Sequence, residues 1–551
     1  MDHPQGRVPR AKNSRGRPAP GLDPEAGNPE SESIFAVTNS TSSAAGETGS
    51  RLLPLALQSR NPLAWLTIFG PGAVIASLTI GSGELIFSSR GGALFGYRLL
   101  WFFLLVLLLK WVLVFVSARH MVLTGAHPFQ RWMELPGPRG WFPLVFVLLA
   151  LVCFPIWVSF HSGTVGTLLS WLAHTEKSFH GGAHFVWGMM TLWVVLALVF
   201  GGGYAVLERV QLIIVLLMLA CVVVSLVALR PDWIGFWTGF FVPRPLVYPD
   251  WAGSLPDLAG RPVWVEIITY VGVIGGSGYD YLAYVSYLRD KRWGQAGRAS
   301  AAVADLAVMA ADSTHINRRW LRAVAVDSAL SFLAVLIFSA VFVACGAVIL
   351  GPQQKIPGGS NLLALQAEFV TPIYPWLKYV YFVGAFLTIF GTLYGTIEVA
   401  PTILREAALA FDADYASRHE RRLRFLAVGW AGGGGFAVLL WTFAWHLMSG
   451  GDNPPGLIAL LTPANLFTGV LACGLICLLA MRTDRKFLPR GLRAGKFVAT
   501  LNFFAGITFL ALGIKGYWDH SGWTAFVILA GTLGLGWLGA WGRNRFGKGA
   551  T

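Results

Sequence analysis

Two short segments of the chain combine several glycines with an acidic residue inside otherwise apolar stretches. The first is Gly81–Glu84 (Gly-Ser-Gly-Glu), and the second is Gly275–Asp280 (Gly-Gly-Ser-Gly-Tyr-Asp). A glycine inside a helix costs roughly 1 kcal/mol relative to alanine, and a charge at the centre of a bilayer costs about 2.5–3.5 kcal/mol on insertion scales. We therefore expect both helices to be interrupted here and both acids to face the protein interior.

An interrupted helix exposes backbone carbonyls near its break, and these oxygens can bind a cation together with carboxylates and hydroxyls. Oxygen donors of this kind suit Mg²⁺, Ca²⁺ or Mn²⁺. One of the two acids is alternatively the carrier of a coupling proton, since neighbouring carboxylates push their pKa values apart. Close packing of two crossing helices is the other explanation of the glycines. The candidate metal ligands are Gly81, Ser82, Glu84, Gly276, Ser277, Tyr279 and Asp280.

The elements that position these segments are predicted to be membrane helices. Of the 551 residues, 55% are hydrophobic and 13% are charged, against about 25% charged residues in soluble proteins. This composition excludes a disordered protein, a collagen-like repeat and a disulfide scaffold. Because a spanning helix needs about 20 apolar residues, the apolar runs predict twelve helices, near 64–88, 98–119, 141–163, 184–201, 204–229, 264–288, 322–350, 377–403, 424–448, 456–481, 497–515 and 523–541.

The two glycine-rich segments fall in the first and sixth of these helices, which are equivalent positions if helices 1–5 and 6–10 are repeats. Interrupted helices at matching positions indicate the binding site of an inverted-repeat transporter. The predicted organisation is a disordered cytoplasmic tail at 1–50, a first repeat at 51–229, an external loop at 230–263, a second repeat at 264–481 and two appended helices with a short tail at 482–551.

The net charge of +14 comes from 42 Lys and Arg against 28 Asp and Glu. Most of the basic residues fall in alternate loops, and this asymmetry places both termini in the cytoplasm of a multi-pass protein of the cell membrane. The basic cytoplasmic loops therefore account for the net charge; the lipid bilayer is an expected partner, and no nucleic-acid partner is expected. The sequence predicts no oligomeric state.

The same residues resemble the Nramp family of proton-coupled divalent metal transporters. Gly70-Pro71-Gly72 followed by Glu84 matches the family's first helix in spacing, and Gly272–Gly275, Gly391-Thr392-Leu393 and Thr483–Lys486 follow in collinear order. The resemblance covers roughly residues 62–515. It implies an all-α, LeuT-like fold, in which a 5+5 inverted repeat carries two extra C-terminal helices.

The chain departs from the family at the residues that the family uses for metal. The first-helix motif Asp-Pro-Gly-Asn is here Gly81–Glu84, and the sixth-helix Met-Pro-His is Tyr279–Tyr281. The family's aspartate and thioether are therefore both absent. The third helix carries Phe160 and Gly163 at the family's acidic pair, which places its usual proton route in doubt.

Three further polar residues inside helices are candidates for a proton or ion pathway: His161, Asp327 and Glu398. The alternatives are a packing role for His161, a helix-end charge for Asp327 and a cation partner for Glu398. Lys110, at the centre of the second helix, requires a buried partner that the sequence does not identify.

The leading hypothesis is a secondary-active transporter of a divalent cation that works by alternating access, with proton coupling as an option. The second hypothesis is a LeuT-fold transporter of an amino acid or organic cation, with Tyr279, Tyr281 and Tyr284 lining its pocket. The third is a non-transporting membrane sensor. No enzymatic nucleophile motif is present and no soluble catalytic domain is long enough, so no catalytic activity and no cofactor are expected.

Overall fold

The computed structural model describes residues 53–58, 61–65, 68–201, 217–255, 258, 260–358, 364–371, 374–449 and 456–546. The predicted tail at 1–50, the first half of the predicted fifth helix and the side chain of Ser82 lie outside the described residues.

The described part of the chain is mainly helical and contains no strand. The α-helices, numbered in chain order, are α1 Leu55–Gln58, α2 Pro62–Trp65, α3 Pro71–Thr79, α4 Ser88–Phe95, α5 Leu100–Thr124, α6 Pro128–Trp132, α7 Trp141–Leu172, α8 Ala183–Gly201, α9 Leu217–Ala228, α10 Trp233–Phe241, α11 Val263–Val273, α12 Gly278–Asp290, α13 Val303–Ala311, α14 Ile316–Cys345, α15 Leu377–Phe411, α16 Ala413–Arg418, α17 Glu420–Met448, α18 Leu457–Asn465, α19 Ala472–Phe487, α20 Lys496–Ser521 and α21 Trp523–Phe546.

Within the described ranges, nine helices are long and apolar enough to cross a membrane, or ten if the bent pair α9 and α10 forms one span. These ten correspond to all of the predicted spans except the first and the sixth. The sixth is built from the separate helices α11 and α12, and the first from α3 with a π-helical segment that follows it. The repeat boundaries given above remain a prediction.

The sixth predicted helix is interrupted where the sequence indicated. Helix α11 ends at Val273 and α12 begins at Gly278. Between them Gly275 and Gly276 have φ values of +80° and +92°, which residues with a side chain rarely adopt. The break is therefore fixed by these two glycines.

The predicted interruption of the first helix is wrong. The segment Ile80–Phe87 stays helical and forms a π-helix that connects α3 to α4. Its glycines allow close packing instead: a Cβ at Gly81 would lie 1.8 Å from Thr392 Oγ1, and one at Gly83 would lie 2.7 Å from the Val273 carbonyl oxygen. The packing alternative accounts for this motif, and the wide π turn is the remaining irregularity.

These elements form one helical bundle around the break. Helix α3 packs against α12, α14 and α15, and α5 packs against α12 and α14. The start of α3 is held by Asp327 of α14, whose carboxylate accepts hydrogen bonds from Gly70 N and Gly72 N, both at 2.8 Å, and from the Tyr284 hydroxyl at 2.9 Å. The two free N–H groups at this helix end are thereby satisfied.

Candidate functional site

A cavity of about 40 Å³ lies beside the break in the sixth helix. Its walls come from α3, α7, α15, the break and the start of α12. Aromatic side chains of Phe154, Trp157 and Tyr279 form part of the wall. The polar residues on the cavity are Thr79, Cys153, His161, Gly276, Ser277, Asp280 and Thr396.

Asp280 is the acidic residue that lines this cavity, and its position follows from helix capping. Its Oδ2 accepts a hydrogen bond of 2.7 Å from the backbone N–H of Ser277 at the start of α12. The positive end of the helix dipole favours a carboxylate at this place. The cavity therefore presents a negative charge next to hydroxyl oxygens, which is an arrangement that attracts a cation.

Glu84 contacts the break and is not among the residues that line the cavity. Its side chain is completely buried, and Oε1 accepts a hydrogen bond of 3.0 Å from Gly275 N. Oε2 is buried and has no hydrogen-bond partner among the described residues. The structure thus places Glu84 and Asp280 on the same break, but it brings Asp280 alone of the two to the cavity.

The other predicted ligands divide in the same way. Gly276, Ser277 and Tyr279 line the cavity, whereas Gly81 packs on Thr392 outside it. The Tyr279 hydroxyl donates a 2.6 Å hydrogen bond to the Phe146 carbonyl, so in this conformation Tyr279 contributes its ring to the wall. Among the described residues, no group of three His, Cys, Asp or Glu side chains is arranged to hold a metal ion.

The three pathway candidates lie in different surroundings. His161 lines the cavity, has its ring centroid 5.4 Å from that of Trp157, and has Nδ1 3.4 Å from Thr396 Oγ1. Asp327 caps α3, as described above. Glu398 forms a two-point ion pair with Arg424, at 2.6 and 2.7 Å, which is the cation-partner alternative. A role in conduction remains a prediction for all three.

Lys110 has the buried partner that the sequence left open, and it is a set of backbone oxygens. Its Nζ donates to the carbonyls of Ile274 at 2.7 Å and Gly276 at 2.6 Å, with the Gly272 carbonyl at 3.5 Å. Lys110 is fully buried. Helix α5 thus places a cationic side chain on the break itself.

The predicted tyrosine pocket is not formed by the three tyrosines together. Of Tyr279, Tyr281 and Tyr284, only Tyr279 lines the described cavity. The Tyr281 hydroxyl donates to the carbonyls of Gly275 and Gly276 at 2.7 and 3.1 Å, and Tyr284 binds Asp327.

Two ion-pair clusters lie apart from the cavity. Arg90 of α4 and Glu266 of α11 form a buried pair at 2.6 Å, and Arg261 lies 3.4 Å from the same carboxylate. In the other cluster, Glu406 of α15 pairs with Arg289 of α12 at 2.5 Å. Each cluster connects a piece of the interrupted sixth helix to a neighbouring helix.

Sequence reasoning missed Thr79, Thr396 and Cys153 as cavity residues. The sequence did contain a signal for Cys153, because Cys153, Trp157 and His161 are spaced four residues apart and therefore share one face of a helix. The two threonines carried no comparable signal, since their place on the cavity depends on how α3 and α15 pack.

The fold can now be compared with known proteins. Two solved structures of the manganese transporter of Eremococcus coleocola are similar to this chain. One is in complex with an aromatic bis-isothiourea substituted compound and has a TM-score of 0.60 and 14% sequence identity. The other is a mutant and has a TM-score of 0.58 and 15% sequence identity. Each comparison covers 87% of this chain and 94% of that transporter. No curated relative matches the sequence.

At these identities the similarity establishes the all-α, Nramp-type fold. The sequence itself also matches a family model, described as natural resistance-associated macrophage protein-like (Nramp), over residues 72–519. That range includes the cavity, the break and the ion-pair clusters described above. The chain therefore belongs to the Nramp family, and it is a multi-pass membrane protein.

Proposed function

We propose that this protein is a secondary-active transporter that moves a divalent metal cation across the membrane by alternating access. The observation that carries the proposal is the Asp280 carboxylate on a cavity at the break of the sixth helix, with the hydroxyls of Ser277, Thr79 and Thr396 around it. Family membership and the fold shared with a manganese transporter support the same function.

The donor set favours a hard cation. One carboxylate and several hydroxyls are ligands that suit Mg²⁺ or Mn²⁺, which keep part of their water shell when few protein ligands are available. Cys153 and His161 are softer donors on the same cavity, and Mn²⁺ accepts imidazole nitrogen more readily than Mg²⁺ does. We therefore propose Mn²⁺ as the first cation to test.

Size discriminates between this function and transport of an organic solute. The cavity of about 40 Å³ has room for an ion with a few waters, since a space of roughly 10–15 Å³ for the centre of a water molecule holds one water. Pockets for organic ligands are roughly 300–1,000 Å³. An amino acid or organic cation requires a much larger opening than the described cavity.

Proton coupling is the finer part of the proposal. His161 lies on the cavity beside Thr396 and is the imidazole placed to exchange a proton with water there. We further propose that the cell membrane is the site of action, with both termini in the cytoplasm, and that the metal is cargo, so that the protein performs no catalysis and holds no cofactor.

The test is uptake of Mn²⁺ into proteoliposomes that contain the purified protein. Asp280→Asn removes the charge and keeps the shape, so we expect uptake to fall at least about tenfold, given that hydrogen-bonded charges at binding sites contribute more than 1.4 kcal/mol. Asp290→Asn is the matched control, because Asp290 is an exposed acid at the far end of the same helix. Binding of Mn²⁺ without uptake would favour the sensor, and competition by amino acids or organic amines would favour the organic solute.

A further inference from the structure

Lys110 is a buried cation whose position the proposed transport cycle does not explain. The side chain projects from the middle of α5 and has no exposed surface. Removing an ammonium group from water is strongly unfavourable unless oxygens replace its hydration shell. Oxygens that belong to the break between α11 and α12 supply this replacement.

The contacts of Lys110 are those of a cation in an oxygen site. An ammonium group has three donors and no acceptor, and here the Gly276, Ile274 and Gly272 carbonyl oxygens lie 2.6, 2.7 and 3.5 Å from Nζ. The two shorter distances are at or below the short end of the range for charge-assisted hydrogen bonds, about 2.7–2.9 Å. Interrupted membrane helices offer such carbonyls to cations, and in this chain a side chain takes them.

An acidic residue also contacts the break that Lys110 binds. Glu84 accepts from Gly275 N on the same break, and its second oxygen has no hydrogen-bond partner in the described part of the chain. The Lys110 ammonium and the Glu84 carboxyl group therefore both contact the break, whereas Asp280 lines the cavity.

We propose that Lys110 is a tethered cation that fills a cation site formed by the carbonyls of the sixth-helix break and by Glu84, and that it excludes any free cation from these oxygens. This site is distinct from the cavity proposed for the cargo. It follows that the wild-type protein holds the break open without binding a second ion there. The substrate class that the emptied site would accept is a small hard monovalent cation, because it must replace one positive charge.

The test is the substitution Lys110→Met, which keeps an unbranched side chain one atom shorter and removes its charge. We expect the purified variant to gain a site for Na⁺ or K⁺, seen as a rise in its unfolding temperature with NaCl or KCl but not with choline chloride at equal ionic strength. The apparent affinity should be at least roughly tenfold higher than in the wild type, in which the site is occupied internally.

Two further variants make the result specific. Lys515→Met removes a lysine that pairs with Asp519 in α20, and it should show no gain of cation binding. Lys110→Met combined with Glu84→Gln should again show none, because the negative charge of the emptied site is gone. A Lys110→Met protein that folds and responds equally to choline, Na⁺ and K⁺ would overturn the proposal.

The proposal also specifies the outcome if Lys110→Met alone fails to fold. The uncompensated Glu84 carboxylate would then be the cause, so purification in NaCl or KCl, or the added Glu84→Gln change, should restore a folded protein. Failure of both to restore it would refute the assignment. Because the readout is unfolding temperature, these results do not depend on Mn²⁺ transport, and failure of one proposal leaves the other testable.

Discussion

The buried pair between Arg90 and Glu266 offers a quantitative test of how the bundle is held together. The two side chains are 2% and 1% exposed and lie 2.6 Å apart. The carboxylate also accepts a 2.8 Å hydrogen bond from the Tyr270 hydroxyl, and Arg90 donates to the Pro357 carbonyl at 2.8 Å. The perturbation is replacement of either ion or both by methionine.

The expected magnitudes follow from what each change leaves behind. Removing one partner of a buried ion pair costs about 3–5 kcal/mol, because the other charge stays buried and uncompensated. Glu266→Met removes the carboxylate that faces the buried Arg90 guanidinium, so we expect a cost in this range. Arg90→Met should cost less, since Arg261 still lies 3.4 Å from the carboxylate and is 22% exposed.

The double variant Arg90→Met with Glu266→Met should cost clearly less than the sum of the two single changes. Replacing both ions by apolar side chains leaves neither charge stranded, and such replacements are often close to neutral. We expect a favourable coupling of at least about 1 kcal/mol, within the range of about 0.5–3 kcal/mol seen for contacting residues.

The assay is the free energy of unfolding in mixed detergent micelles, followed by the fluorescence of the 23 tryptophans. Lys355→Met is a suitable control, because Lys355 forms an exposed pair with Glu368, and exposed pairs contribute only about 0–1 kcal/mol. Additive single and double changes, or a cost for Glu266→Met no greater than that of the control, would refute the reasoning.

Three further predictions use other parts of the structure. Gly81→Ala should destabilise the protein by about 1–3 kcal/mol, because the new Cβ would lie 1.8 Å from Thr392 Oγ1. In denaturant unfolding, the added change Thr392→Gly should recover most of this loss, and no loss in Gly81→Ala would contradict the packing role of the glycine. Burial lowers the pKa of His127, which lies outside the membrane-spanning helices, to about 4. Between about pH 6.5 and pH 4 the unfolded state therefore binds one more proton than the folded state, so the free energy of unfolding should fall by up to about 3 kcal/mol as the pH falls. The same pH slope in a His127→Gln protein would refute this. Asp327→Ala should lower the free energy of unfolding by at least about 3 kcal/mol, because three hydrogen-bond donors lose their acceptor. Amide hydrogen exchange should also rise at the start of α3, and unchanged exchange there would show that the cap is unimportant.

Much of the fold follows from local signals in the sequence. Long apolar runs determine the spanning helices, and the break at Gly275 and Gly276 follows from two adjacent glycines at positive φ. The same type of signal gave the wrong result at Gly81–Glu84. Glycine lowers helix stability and also permits close helix packing, and the choice between these outcomes depends on Thr392 and Val273, which are distant in sequence.

The candidate site was predictable only in part for a related reason. Ser277, Tyr279 and Asp280 were found because the break and its acid are adjacent in the chain, and the cavity forms beside them. The separation of Glu84 from the cavity and the contacts of Lys110 with the break depend on the rotation of α5 and of the π-helix around their axes. No spacing within one helix determines that rotation.

The central claim is that Asp280 holds a divalent metal on the cavity beside the sixth-helix break. The most direct measurement is the dissociation constant of Mn²⁺, by isothermal titration of the purified wild type, Asp280→Asn and the exposed control Asp290→Asn. We predict saturable binding to the wild type and the control and a loss of at least about tenfold in affinity for Asp280→Asn. Equal affinities in all three proteins, or no binding of Mn²⁺ to the wild type, would contradict the claim.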